Sequence, residues 1–259
     1  MVQIVTWNVN SIKVRLPHVL RFLEEHKPDV VMLQEIKCVT DAFPKQEFEY
    51  AGYICAVHGQ KTYNGVAILS RYPLEDIVTT LPGGDQDEQA RYLEAVVTVG
   101  KEVIRLVNVY VPNGGEPKGE KWAYKLGFYD RLLQHMQRLL AYEEKLVLGG
   151  DFNVAPDPID VYDPKSLKGT TCFHPDEWQH YRPILNVGLI DSYRALYPHT
   201  PQYSWWDYRS GAWNQNKGMR IDHLLLSPEA TDSLKQAGVY QEERGREQAS
   251  DHAPVWCEF

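Results

Sequence analysis

The feature that most narrows the fold of this chain is a repeated pattern: a short run of apolar, mostly β-branched residues that ends abruptly in carboxylates or amides. Residues 145–156, KLVLGGDFNVAP, show it most plainly. Leu146, Val147 and Leu148 predict a strand buried on both faces, and Gly149 and Gly150 let the backbone pass close to a neighbour. Asp151 and Asn153 flank Phe152, so on an extended chain both point one way while Phe152 points into the core. Pro156 ends the strand. An Asx turn would use the same residue types, but the pattern recurs along the chain. Residues 2–7 deliver Asn8 and Asn10, and residues 29–33 deliver Gln34 and Glu35. Residues 103–109 deliver Tyr110 and then Asn113; residues 220–226 carry Asp222; Ser250, Asp251 and His252 stand just before a last strand, 253–259.

Between these runs, Pro17 opens a helix that Pro28 ends, and an apolar stripe marks a second helix over 123–142. Further helices are predicted over 177–187 and 191–197. Residues 53–58 and 65–70 read as paired strands, 93–99 and 103–109 as a hairpin, and 203–206 as a short strand. Many strands with few, dispersed helices favour an α/β fold of two sheets packed on each other with helices outside, in one domain over 1–259. The irregular stretch 157–175 is long enough to expect a function of it.

Composition limits the function classes. Lys plus Arg number 27 against 35 Asp plus Glu, for a formal net charge of −8. That balance argues against a protein that coats nucleic acid non-specifically, because such binding rests on phosphate neutralisation. It permits an enzyme that meets phosphate through a bound cation and a local basic rim. Cys38, Cys55, Cys172 and Cys257 are scattered without C-x-x-C spacing, which predicts free thiols and a cytoplasmic setting. The chain begins directly with a strand pattern, so no signal peptide is expected, and no apolar run reaches membrane-spanning length.

Asn8, Glu35, Tyr110, Asn113, Asp151, Asn153, Asp222, Asp251 and His252 thus come from six separate strand edges, which suggests one shared site. Oxygen ligands without thiolates suit a hard cation such as magnesium or manganese, able to polarise a phosphoryl oxygen. Asp222 within RIDHLLL is flanked by apolar residues and requires a buried partner.

WNVNSI at 7–12, LQE at 33–35, YVPNGG at 110–115, GGDFNVAP at 149–156, SWWDYRS at 204–210, GMRIDHLLLS at 218–227 and SDHAPV at 250–255 together resemble the exonuclease III family of abasic-site endonucleases. The motifs keep the family order and extend over essentially the whole chain. The resemblance implies a four-layer α/β sandwich, with two central mixed sheets face to face and the site at one edge. It implies a monomer acting on double-stranded DNA, by incision 5′ to abasic sites, 3′ to 5′ exonuclease action and cleaning of 3′ ends. Glu35 is then the main metal ligand with Asn8 and Asp251 beside it, for Mg2+ or Mn2+. Asp151 activates or orients water, Asn153 aligns the phosphate, Asp222 orients His252, and Tyr110 and Asn113 contact phosphate. Asn10 departs from relatives that carry Asp there. Trp205, Met219 and Ile221 would form a pocket for a baseless sugar, with one of Trp205 and Trp206 as core. Arg91, Lys118, Lys121, Arg209, Lys217 and Arg220 are candidate backbone contacts.

Two expectations concern the balance of activities. Phe173 and His174, in KSLKGTTCFHPDEW at 165–178, can stack on a terminal base pair and so favour 3′ termini over internal abasic sites. The alternatives are a predominantly 3′ exonuclease and 3′-phosphatase with weak abasic-site incision or, in another class, a catalytically silent DNA-binding module.

Overall fold

Strict alternation of side chains along each strand sorts the apolar residues into three layers. A computed structural model describes residues 1–84 and 86–259. Twelve strands are present among them: β1 (Gln3–Asn8), β2 (Val30–Gln34), β3 (Ile54–His58), β4 (Val66–Ser70), β5 (Leu74–Val78), β6 (Tyr92–Val99), β7 (Glu102–Tyr110), β8 (Lys145–Asp151), β9 (Ile190–Asp191), β10 (Asp222–Leu226), β11 (Gln236–Val239) and β12 (Val255–Glu258). They form two six-stranded sheets, ordered β11-β12-β1-β2-β4-β3 and β5-β6-β7-β8-β10-β9. β1 with β2 and β7 with β8 are parallel. The remaining pairs are antiparallel, so both sheets are mixed.

Ile4, Val30, Met32 and Ile68 of the first sheet meet Leu93, Leu106, Val147 and Leu224 of the second in a buried layer between them. The alternate residues face outward. Val5, Val31 and Leu33 pack under Val19, Phe22 and Leu23 of helix α1 (Ile12–His26). Val107, Leu146 and Leu148 pack under two helices on the other side. These carry Phe128, Leu132 and Met136 in one and Tyr181 and Ile184 in the other. The expected helix–sheet–sheet–helix order is therefore the one found. Gly149 shows how close the sheets lie: a Cβ there would stand 2.3 Å from Met32 Cε and 2.7 Å from a Leu224 methyl.

Three local expectations change. β5 and β11 lie at sheet edges, where β5 is mostly exposed and lacks the apolar alternation that marks a buried strand. Residues 203–206 make only isolated bridges from Trp205, to Met219 and His252, and form no strand. Arg220 lies ahead of β10, which starts at Asp222. The four cysteines are free. Among the described residues no helix is long and apolar enough to cross a membrane.

Candidate active site

Strand direction explains why the polar residues meet. The parallel pairs β1/β2 and β7/β8 end at one edge of the sandwich, where Asn8 aligns with Gln34 and Tyr110 with Asp151. The antiparallel partner β10 begins at that edge, with Asp222 opposite Asp151. β12 runs antiparallel to β1, so Asp251 and His252, which precede it, arrive there too. A cleft of about 400 Å3 opens over this edge, lined by Glu35, Tyr110, Asn113, Asp151, Asn153, Cys172, Trp205, Met219, Ile221, Asp251 and His252 among others. A larger open depression of about 1060 Å3 beside Asp87, Tyr124 and Arg131 holds an already satisfied ion pair. The chemistry converges in the smaller one.

Asp151 is buried at the floor. Its Oδ1 accepts from the Asn153 backbone N–H at 2.9 Å and its Oδ2 from Asn8 Nδ2 at 3.0 Å, with His252 Nε2 at 3.8 Å from Oδ2. Burial pushes its carboxyl up to about 7, opposed by His252 and aided by Asp222. Burial alone would depress His252, but the Asp222 carboxylate, 2.8 Å from Nδ1, and then Asp151 reverse this and raise it to about 10. Ser204 in turn donates its hydroxyl to Asp222 at 2.6 Å. The expected His252–Asp222 couple is thus in contact, supported by a serine that the sequence reading passed over.

Glu35 adopts a left-handed backbone, φ 51°, directly after β2. Burial would raise its carboxyl, but Lys37 at 2.9 Å and the Asn8 amide hold it below its usual value. Oxygens of Glu35 and Asp151 and a ring nitrogen of His252 lie within 4.8 Å of one another. With His252 held protonated, the two carboxylates are the donors left to a cation, and an all-oxygen set suits a hard one. Asn8 and Asp251 are arranged differently from the ligand roles expected of them. Asn8 spends its NH2 on the two carboxylates and its oxygen on the Asn10 N–H. Asp251 accepts from Asn10 at 3.0 Å and from the Trp205 indole at 2.9 Å.

Tyr110 lies beneath Arg91, whose guanidinium is 4.6 Å from the ring centroid. Burial, followed by the neighbouring Glu35 and Asp151 charges, raises the phenol well above its ordinary value, so it stays an O–H donor. Asn113 donates to the Asn153 side chain at 2.9 Å. Trp205 pairs with Met219 and packs on the cluster of Met219, Ile221 and Phe173, while Trp206 is fully buried. Arg209, Lys118, Lys121 and Lys217 are exposed.

Two expected DNA contacts are corrected. Arg220 is 1% exposed and is bound by Asp160 and Asp191 at 2.7 Å each, so it is an internal counter-ion and faces no phosphate. His174 caps a helix, accepting the Asp176 N–H at 3.1 Å. Phe173 is 2% exposed and packs edge-on against Trp178 at 4.9 Å, so neither ring is free to stack on a terminal base pair.

The family model described as "Endonuclease/Exonuclease/phosphatase family" matches residues 5–252. Exodeoxyribonuclease III of Haemophilus influenzae is 34% identical over 98% of both chains. The structure of a 3′ phosphatase from Neisseria bound to a product DNA hairpin superposes with a TM-score of 0.97 and 40% identity, over 100% of this chain and 99% of that one. An AP endonuclease from Archaeoglobus fulgidus gives 0.95 and 36%, over 100% and 99%. A single cleft at the edge of two mixed sheets and end-to-end similarity converge on one conclusion: the chain belongs to the endonuclease/exonuclease/phosphatase family, as an exodeoxyribonuclease III-like phosphodiester hydrolase of its DNA-repair branch.

Proposed function

We propose that the protein hydrolyses phosphodiester bonds of duplex DNA with a divalent cation, cutting 5′ to abasic sites and removing nucleotides or blocking groups from 3′ ends. The observation that carries this reading is the meeting of Glu35, Asp151 and the His252–Asp222 couple in one cleft beside an apolar pocket. Glu35 and Asp151 would hold the cation, Mg2+ or Mn2+, which supplies polarisation of a phosphoryl oxygen and stabilisation of the leaving alkoxide. Asp151, poised near neutrality, orients a water and accepts its proton. His252, kept cationic by Asp222, hydrogen-bonds a phosphate oxygen, and the Tyr110 hydroxyl and the Asn113–Asn153 amides face the same group. Trp205, Met219 and Ile221 line the apolar side of the cleft and would accept a sugar without its base. All of these residues come from one chain, so a monomer suffices.

Incubation with magnesium and, at equal enzyme concentration, an internal abasic site, a matched 3′ end and a 3′-phosphate tests the reading and ranks the activities. Chelator-sensitive cleavage is expected; no cleavage of any of the three overturns it. An activity weighted towards 3′ ends is supported by the end-to-end match to the Neisseria 3′ phosphatase. Glu35→Gln should weaken both cation affinity and turnover while folding is retained, and unchanged magnesium affinity would remove Glu35 from the site.

A further inference from the structure

Helix α2 (Glu120–Leu140) buries Lys125 one turn ahead of Phe128 and Tyr129 on the same apolar stripe, and its side chain is 0% exposed. An ammonium taken out of water costs several kcal/mol unless its protons are used. Here all three are. Lys125 Nζ donates to the Asn153 carbonyl at 2.7 Å, to the Asn113 carbonyl at 3.1 Å and to Glu177 Oε1. Glu177, in the first turn of the helix Pro175–Asn186 and equally buried, also accepts the backbone N–H groups of Cys172 and His174, each at 3.0 Å.

One buried ion pair therefore ties together three loops: after β7, after β8, and before residue 175. Those loops carry Asn113, Asn153 and Cys172, which form one wall of the cleft. Their side chains touch, Asn113 Nδ2 lying 2.9 Å from Asn153 Oδ1 and 3.8 Å from Cys172 Sγ. Asn153 and Cys172 are held at φ 50° and 69°. A left-handed residue other than glycine is strained and persists only where its surroundings over-determine it. Among the described residues Lys125 is the donor that the Asn113 and Asn153 carbonyls have. Neither Lys125 nor Glu177 lines the cleft itself.

We infer that Lys125 and Glu177 are positioning residues, a buried clamp that sets the phosphate-facing wall of Asn113 and Asn153 from behind. The inference rests on the proposed function for the role of that wall. A pair that served stability alone could be neutralised with little consequence for the cleft, since buried ion pairs are often replaceable by neutral groups. A clamp cannot, because its two carbonyl bonds vanish with the ammonium.

The test uses the full chain with magnesium and three variants: Glu177→Gln, which keeps shape and most acceptors, Lys125→Met, and the two combined. Turnover and KM are measured on abasic duplex. In parallel, N-ethylmaleimide labelling is followed at Cys172 and at Cys257, both buried. Cys257 lies between the sheets and reports global opening. Misplacing a positioned group by about 1 Å costs about a hundredfold, so the combined variant should lose about 10- to 100-fold in kcat with KM within about threefold. Cys172 labelling should accelerate by about tenfold while Cys257 stays at the wild-type rate, the mark of local rather than global opening. Turnover within twofold of wild type, or Cys172 labelling that rises only in step with Cys257, overturns the clamp. If the combined variant does not fold, the same criteria apply to Lys125→Met, which removes both carbonyl bonds. If the wild-type protein cleaves no DNA, the functional reading fails, while the labelling ratio still decides the clamp.

Discussion

The floor of the cleft consists of side chains fixed by strand register, whereas the rim we propose for it consists of long, exposed cations. Tyr110, Asp151 and Asp222 face one another across ladder pairs of a single sheet, and Asn8 and Glu35 come from the other. Asn8, Asp151 and Asp222 are buried and hydrogen-bonded, and Glu35 and Tyr110 are half-buried beside them. Of the cations proposed for the rim, Lys118, Lys121 and Lys217 are exposed, and Arg209 is 86% exposed and closed on Asp207. A floor group acts in one geometry through a dry, low-dielectric setting, so its removal is felt in turnover. A rim cation acts through screened attraction, so its removal is felt in binding and its salt dependence.

Asp151→Asn is the sharpest way to test the floor. The amide keeps the shape but neither accepts a proton nor offers a second anionic oxygen beside Glu35. Turnover should fall roughly a hundred- to ten-thousand-fold. KM should hold or drop, since one negative charge beside the phosphate is lost. An unchanged rate would remove Asp151 from water activation and dissolve the contrast with the rim.

Arg220 sharpens the comparison from the other side, because a basic residue that reads as rim turns out to be core. Arg220→Met leaves Asp160 and Asp191 buried without their shared cation, although Arg194 still reaches Asp160. Breaking a buried pair by removing one partner costs about 3–5 kcal/mol, readable in urea unfolding. A loss under about 1 kcal/mol, the range of exposed pairs, would return Arg220 to the surface.

This residue also shows where the sequence was legible. The floor could be read because each of its polar groups stands at the end or the start of an apolar strand, and strand alternation fixes its direction. Topology then brings the ends together. Arg220 was misread because it precedes a strand beside a basic stretch, and its partners Asp160 and Asp191 lie in an irregular segment and a two-residue strand. Nothing local announces such a pairing. Phe173 and His174 are engaged locally, by an edge-on contact with Trp178 and by a cap over Asp176, and Glu177 three residues after His174 is the sequence signal of that cap. Lys125 carried a signal as well. It occupies the helical stripe of Phe128, Leu132 and Met136, and a charged residue in register with a buried face requires a partner. Ser204 had none, since a hydroxyl beside two tryptophans has no period.

Asp222→Asn should act more mildly than Asp151→Asn, through pH. Burial depresses His252, and Asp222 is the main charge that lifts it to about 10. The protonated imidazole is the active form, so activity is present below that value and is lost as pH rises through it. For Asp151 the deprotonated form acts, so activity appears as pH rises through its folded value, about 7 without the cation and lower with the cation bound. The wild-type profile is therefore a bell. Without Asp222 its alkaline limb should move to lower pH, with turnover at the optimum falling about 10- to 100-fold. An alkaline limb that stays in place would mean that His252 is held cationic by another group.

The smallest effect is expected at the rim. Lys118 and Lys121 stand at the entrance to α2, exposed and without an ion-pair partner among the described residues. Each neutralised phosphate contributes about −0.9 to the slope of log affinity against log salt. Replacing both lysines by Ala should therefore make that slope shallower by about 2 and weaken binding to a similar degree across DNA sequences. Arg209→Ala should change it less, because Asp207 already neutralises that guanidinium. A chain of net charge −8 has few such cations to spend, so the wild-type slope itself should correspond to a handful of contacts. A slope of about ten contacts would show that binding runs along a far longer basic track. That result would make the rim, and not the floor, the larger part of how this protein holds its substrate, whereas two lysine substitutions that leave the slope untouched would remove Lys118 and Lys121 from the phosphate contacts.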